Sequence, residues 1–292
     1  MAYDSFGNSV KRGFMGMPIA IRSLIAINAI VFVVQILVGA IFRISLVPYL
    51  SLFPDVMTTI TQPWRLVTYM FLHSTASPFH FIFNMLWLWW MGRPVEETIG
   101  PRSFLTVYFG AGLTGALIDV VVSLFGAPIP VIGASGAVYG IMVAFAMLFP
   151  RMPIMLIFLP PIEARYVVSG LILIDALLLN SGDGVARLVH LGGALGGYLL
   201  MRARSNGTDL TFVPRYFEYL FMKVKPKSSG SGSSSGKTKV RNKKMSIVSD
   251  AEIIEEVEQS ELDAILEKIS KAGYDSLTQA EKKKLFELSK KN

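Results

Sequence analysis

The sequence has no cysteine and only three histidines, His73, His80 and His190. Without cysteine there can be no disulfide, no thiolate nucleophile and no Cys-ligated metal. Charge is also scarce. Asp, Glu, Lys and Arg make up 17% of the 292 residues, where a soluble domain carries about a quarter. What fills the space is apolar: 52% of residues are hydrophobic and the mean hydropathy is +0.50. The formal charge of +7 comes from 28 Lys and Arg against 21 Asp and Glu. Most of the basic residues lie before residue 25 or after residue 200. They flank apolar runs, which is where membrane topology places them, so no nucleic-acid partner is expected. The composition predicts an all-α polytopic helix bundle in a lipid bilayer, with a polar tail.

Six apolar runs are candidate spans: Pro18 to Phe42, Phe79 to Met91, Phe104 to Phe125, Ser135 to Phe149, Tyr166 to Leu179 and Arg187 to Met201. The first is too long for a signal peptide and reads as an uncleaved helix. Several are shorter than the ~20 residues that cross a bilayer comfortably. Lys11, Arg12, Arg22, Arg93, Arg102, Arg151, Arg165, Arg202 and Arg204 fall on one side of this topology, and Arg43, Arg65 and Arg187 on the other. The positive-inside rule then puts both termini in the cytoplasm, as an even number of spans requires. Residues 1–17 form a polar N-terminal segment and residues 18–204 the six-span domain. The stretch from Arg43 to Pro78, with Trp64 and Tyr69 suited to the membrane interface, predicts an ordered loop partly in the outer leaflet. Residues 205–250 are a basic Ser/Gly-rich linker. Residues 251–292 predict a small helical hairpin: Leu262, Ile265, Leu266 and Ile269 share one face, and Thr278 with Glu281 makes a capping-box pattern.

Ionisable and amide side chains are few within the spans, and among them are Asn28, His80, Asn84, Asp119, Asp175 and His190, with Asn180 at a span end. Such groups are costly in lipid and usually face a cavity or a partner. With the N-terminus inside, the second, fourth and sixth spans all run from outside to inside. His80 and Asn84 lie near the start of the second, Ser135 starts the fourth, and His190 is about one turn into the sixth. All four therefore share one modest depth near the outer face. His80 and Asn84 are i, i+4 and project from one helical face. His190, Gly193 and Gly197 also share a face. The pairs Gly192/Gly196, Gly193/Gly197 and Gly136/Gly140 are small-xxx-small patterns that let helix backbones approach closely. Packing the fourth span on the sixth through these glycines brings Ser135 next to His190.

That pairing has a chemical use. A serine hydroxyl is a weak nucleophile until an adjacent base takes its proton, and His190 can be that base. The oxyanion of acyl transfer needs fixed donors. Ser135 stands at a helix N-terminus, where free N–H groups favour negative charge, and His80 and Asn84 add side-chain donors. No acidic residue stands where a third triad member is obvious. Asp119 and Asp175 are the candidates, and a Ser–His dyad is the simpler reading.

These residues, in "GASGAVYG", "HFIFN" and "HLGGALGG" together with "QPWRLVTYMFLH" and "VEETIG", resemble the rhomboid family of intramembrane serine proteases over roughly residues 18 to 204. The resemblance implies Ser135 as nucleophile and His190 as general base, with His80, Asn84 and the Ser135 backbone at the oxyanion. It places Tyr139 against the histidine ring and gives supporting roles to Gly133, Gly136, Gly193 and Gly197. It implies no metal, nucleotide or other cofactor, transmembrane proteins as substrates, and a multi-pass location in a bacterial inner (plasma) membrane. It sets no oligomeric state. Two other functions compete. One is a rhomboid-like protein that binds transmembrane helices without cutting them. The other is a proton-coupled transporter relaying through His80, His190, Asp119 and Asp175.

Overall fold

Among the described residues, six helices of fourteen residues or more follow the six apolar runs in order: α1 (Ile19–Phe42), α2 (Pro78–Ile99), α3 (Pro101–Val122), α4 (Ser135–Leu148), α5 (Ala164–Leu177) and α6 (Arg187–Ser205). They come from a computed structural model, which describes residues 13–126, 128–155, 160–179, 181, 186–216 and 278–279. The chain divides into two units, Met1–Lys227 and Ser228–Asn292. The expected linker beyond residue 216 and the tail hairpin, except residues 278–279, lie outside the described residues, as do residues 1–12.

Local chemistry sets the helix ends. Pro78 and Pro101 open α2 and α3 at positions where the missing N–H costs no hydrogen bond. Gly100, with φ +78°, turns the chain between them. The second apolar run ends at Met91, yet α2 continues two turns further, through Pro94 to Ile99. Those added turns carry Glu96, whose carboxylate accepts hydrogen bonds of 2.8 Å from the Ala20 and Ile21 N–H groups. Glu96 thus satisfies two of the donors that the start of α1 leaves without an intrahelical partner. By length and composition, α1 and the segment Pro101–Phe125 are apolar enough to cross a membrane, and α4 is a shorter apolar helix. Of the other three, α2 carries His80, Asn84, Arg93, Glu96 and Glu97 and α6 carries Arg187, His190, Arg202 and Arg204, while α5, with Arg165 and Asp175, is only fourteen residues long.

The core lies where α3, α4 and α6 pack on one another. Glycines make that contact possible. A Cβ on Gly197 would stand 2.5 Å from the Gly140 Cα, and a Cβ on Gly193 would strike the Gly136 carbonyl. The neighbouring pair faces elsewhere: Gly192 lies against Gly115, and Gly196 against Thr114 and Ala111, both on α3. The GG doublets of α6 therefore serve two partners, one glycine of each doublet per helix.

The stretch between α1 and α2 is ordered. It holds short helical turns at Val47–Leu50, Val56–Thr61, Arg65–Thr68 and Tyr69–Phe71. Buried Arg65 staples them, donating to the Ser51 and Pro48 carbonyls and to Gln62 Oε1. Leu52 pairs with Val131 in an isolated antiparallel bridge, which ties this loop to the entry of α4. Tyr69 strengthens the tie: its hydroxyl donates to the Gly112 carbonyl at 2.8 Å, and its own carbonyl accepts from Gly133 N–H at 2.9 Å. Between α4 and α5 a two-residue hairpin pairs β1 (Pro153–Ile154) with β2 (Ile162–Glu163) antiparallel.

Candidate active site

Ser135 is the first residue of α4, and the helix has no side-chain cap. Its first N–H groups are thus left as donors with a partial positive charge. Ahead of it, Gly133 has φ +129°, a conformation open to glycine and strained for any other residue. A Cβ there would also lie 2.8 Å from His80 Nε2 and 3.6 Å from Ser135 Oγ. The absent side chain leaves a small space bordered by the hydroxyl of α4 and the imidazole of α2.

The glycine seam between α4 and α6 sets the other wall. Ser135 Oγ is 2.7 Å from His190 Nε2, across 55 residues of sequence. The Tyr139 ring stacks on the His190 ring with centroids 4.6 Å apart and planes 12° from parallel. Ser135 and His190 are half-buried, so the pair is held firmly without being sealed. On the α2 side, His80 Nδ1 is the acceptor of a long, 3.5 Å contact from Ser74 N–H. With Nδ1 accepting, the ring proton belongs on Nε2, the atom that faces Gly133 and Ser135. Asn84 is buried, and its amide donates to the His80 carbonyl at 2.7 Å. The second hydrogen of that nitrogen remains for another acceptor.

His73, in the loop before α2, packs behind this wall. Its ring is 5.3 Å from those of both His80 and Phe81 and 6.4 Å from Phe32. Its backbone N–H and carbonyl are held by Gln35 of α1 at 3.0 and 3.1 Å. Both ring nitrogens are buried without a hydrogen-bond partner among the described residues. Burial, with the neighbouring His80 as a second cause, holds its pKa down to about 4, so the ring is neutral at physiological pH.

The structure brings Ser135, His190, His80 and Tyr139 together, with Asn84 one turn behind His80. It also adds a residue that the two-residue reading of the sequence left out. Asp175 Oδ2, on α5, lies 2.8 Å from His190 Nδ1. Its other oxygen is 3.5 Å from Arg187 Nε, and the Tyr139 hydroxyl faces the same carboxylate. No local motif announces this contact, because it depends on how α5 is rotated and where the chain returns from it. Asp119 is not joined to this group: its Oδ2 is buried on α3 without a hydrogen-bond partner among the described residues.

A hydroxyl hydrogen-bonded to an imidazole at an uncapped helix start is set here into a largely apolar helical bundle. The family model described as Rhomboid domain matches residues 61–206, half of the chain, and the chain belongs to the rhomboid family of integral membrane proteins. A second model, described as a family of unknown function (DUF6576), matches residues 256–291. Among curated relatives, the chain is 34% identical over 143 residues to a Bacillus subtilis (strain 168) protein named rhomboid protease GluP, covering 48% of this chain and 26% of that protein. It is 30% identical over 180 residues to rhomboid protease GlpG of Serratia proteamaculans (strain 568), covering 60% of each. It is 29% identical over 181 residues to the rat protein named presenilin-associated rhomboid-like protein, mitochondrial, covering 61% of this chain and 46% of that one. The chain spans from 26% to 60% of the length of these relatives.

Proposed function

We propose that this chain is an intramembrane serine endopeptidase that hydrolyses peptide bonds near the outer ends of transmembrane helices. The observation that carries the reading is the 2.7 Å contact between Ser135 Oγ and His190 Nε2 at the uncapped start of α4. Ser135 Oγ attacks the scissile carbonyl carbon while its proton passes to His190 Nε2. The carbonyl oxygen becomes an oxyanion facing the first N–H groups of α4 and the His80 and Asn84 side chains. The C–N bond then breaks, and His190 gives the proton to the leaving amine. A water molecule, deprotonated by His190, attacks the acyl-serine. The ester bond breaks and Ser135 regains its hydrogen. A helical peptide bond is shielded and already hydrogen-bonded, so the substrate must unwind locally. Gly and Pro near the cut lower that cost.

All six helices cross the bilayer, with both termini in the cytoplasm of a bacterial cell. The arginine distribution supports this, and more firmly than the raw count. On the site's side, Arg65 and Arg187 are buried and engaged with neighbouring groups, leaving Arg43 as the exposed basic residue there. Exposed Tyr49, Met57, Ile60 and Trp64 on the 43–77 loop suit contact with the outer leaflet.

The test is hydrolysis of transmembrane peptides by the purified chain in proteoliposomes. The wild type should cut at least one peptide near its outer end, and Ser135→Ala should cut none. Equal cleavage by both would end the protease reading. Stable capture of peptides without cleavage by the wild type would favour a helix-binding protein instead.

A further inference from the structure

The acidic side chain against His190 is placed for more than packing. A carboxylate can only accept hydrogen bonds, and a neutral imidazole has a single N–H. With Asp175 Oδ2 at 2.8 Å from Nδ1 and Ser135 Oγ at 2.7 Å from Nε2, the proton belongs on Nδ1. That leaves the Nε2 lone pair for the serine hydroxyl. We propose that Asp175 is a positioning residue which fixes the reactive tautomer and orientation of His190, so that the site works as a Ser135–His190–Asp175 relay rather than as a pair. The inference rests on the protease reading and deepens it.

Two helices converge on this carboxylate of α5. His190 and Arg187 reach it from one face of α6, three residues apart, and Tyr139 faces it from α4. Arg187 also donates to Ser181 Oγ at 2.7 Å, beside the end of α5. Asp175 is 7% exposed, while its helix neighbours Leu173, Ile174 and Leu177 are 58%, 52% and 75% exposed. The other buried residues of α5, Ala164, Val167 and Val168, all lie in its first turn and a half. An apolar residue at position 175 would serve if burial were the requirement. A carboxylate there must instead be matched: His190 lies within hydrogen-bond distance, Arg187 forms an ion pair with it, and the Tyr139 hydroxyl faces it. When His190 takes the serine proton it becomes a cation directly against this anion, which stabilises the charge that the reaction creates. Asp175 rides on α5, so displacing that end of the helix separates it from His190 and leaves a two-residue site.

Two measurements on the full chain test this. The first compares wild type with Asp175→Asn, Asp175→Ala and Asp175→Glu, reading peptide cleavage and the rate at which a small fluorophosphonate labels Ser135. The small reagent needs no movement of α5, so it separates nucleophile activation from substrate entry. Asn and Ala should lower kcat and the labelling rate together, by on the order of 10²–10⁴-fold. KM should change by less than about threefold, and Glu should recover part of both rates. A change in KM alone, or unchanged labelling, would reduce Asp175 to a helix tether and overturn the inference.

The second needs no variant of Asp175. With three histidines in the chain, the imidazole ¹⁵N spectrum of the wild type can be assigned by removing each in turn. His190 should carry its proton on Nδ1. A proton on Nε2 would overturn the inference even where the variants fail to fold. Should the wild type neither cut nor label, the protease reading falls, and the tautomer still reports separately on the Asp175 contact.

Discussion

The two partners of His190 sit in opposite surroundings. Ser135 belongs to α4, nine of whose fourteen residues are buried and whose glycines interlock with those of α6. Asp175 belongs to α5, a helix of the same length with four buried residues. Ser135 and His190 are held in place by backbone-to-backbone contact between α4 and α6. Asp175 is held by a hydrogen bond from His190 and an ion pair with Arg187, at a helix end whose other side chains are mostly exposed. A tightly interlocked pair and a loosely packed partner therefore meet within one site.

The sharpest way to break this contrast is to fill the seam. Gly193→Val puts side-chain atoms into the Gly136 backbone, where no rotamer relieves the clash. It should lower stability by about 3 kcal/mol and abolish cleavage, seen as a fall in the thermal midpoint and loss of product. On α2, Asn84→Ala should leave the fold intact but cut kcat about a hundredfold with KM nearly unchanged, as expected for a group acting on the oxyanion. A fall in affinity with unchanged turnover would assign Asn84 to substrate binding.

On α5 the same kind of change should be harmless. A Cβ on Gly170 meets nothing within 4 Å, so Gly170→Ala should raise stability by about 0.5 kcal/mol through helix propensity. Destabilisation of the size expected at Gly193 would mean that α5 is packed as tightly as α4, and the contrast would fail.

These unequal surroundings also explain what could be read from the sequence. Gly-x-Ser-Gly, the i, i+4 pair His80/Asn84 and the spaced glycines after His190 are local patterns with a physical meaning, and they identify which faces meet. The six apolar runs locate the six long helices of the described residues, although α2 overshoots its run by two turns, which carry Glu96 to the start of α1. The division of Gly192/Gly196 toward α3 and Gly193/Gly197 toward α4 is decided by three-body packing, to which a small-xxx-small pattern is blind. Asp175 has no motif. Its role depends on the rotation of a short helix and on the path between residues 178 and 186, which spacing alone does not determine.

The smallest expected effect lies in the ordered loop, which belongs to the rigid side of the comparison. His73 is neutral in the folded chain, with its pKa depressed from 6.5 to about 4. Between those values the unfolded chain binds the proton and the folded chain does not. Its contribution to stability is therefore full above pH 6.5 and is lost as pH falls toward 4. His73→Phe keeps an aromatic ring among Phe32, Phe81 and His80, and should flatten the decline of the thermal midpoint over that window. An unchanged slope would show that His73 is protonated or solvated in the folded state.

The central claim is that an alcohol and an imidazole brought together by a glycine seam act as one reactive unit. Mapping fluorophosphonate adducts by mass spectrometry, on wild type and on folded His190→Ala in the same membranes, tests it most directly. The expected result is an adduct on Ser135 in the wild type and essentially none in His190→Ala. Equal labelling of the two, or an adduct on some other serine in a preparation that cleaves peptides, would contradict it.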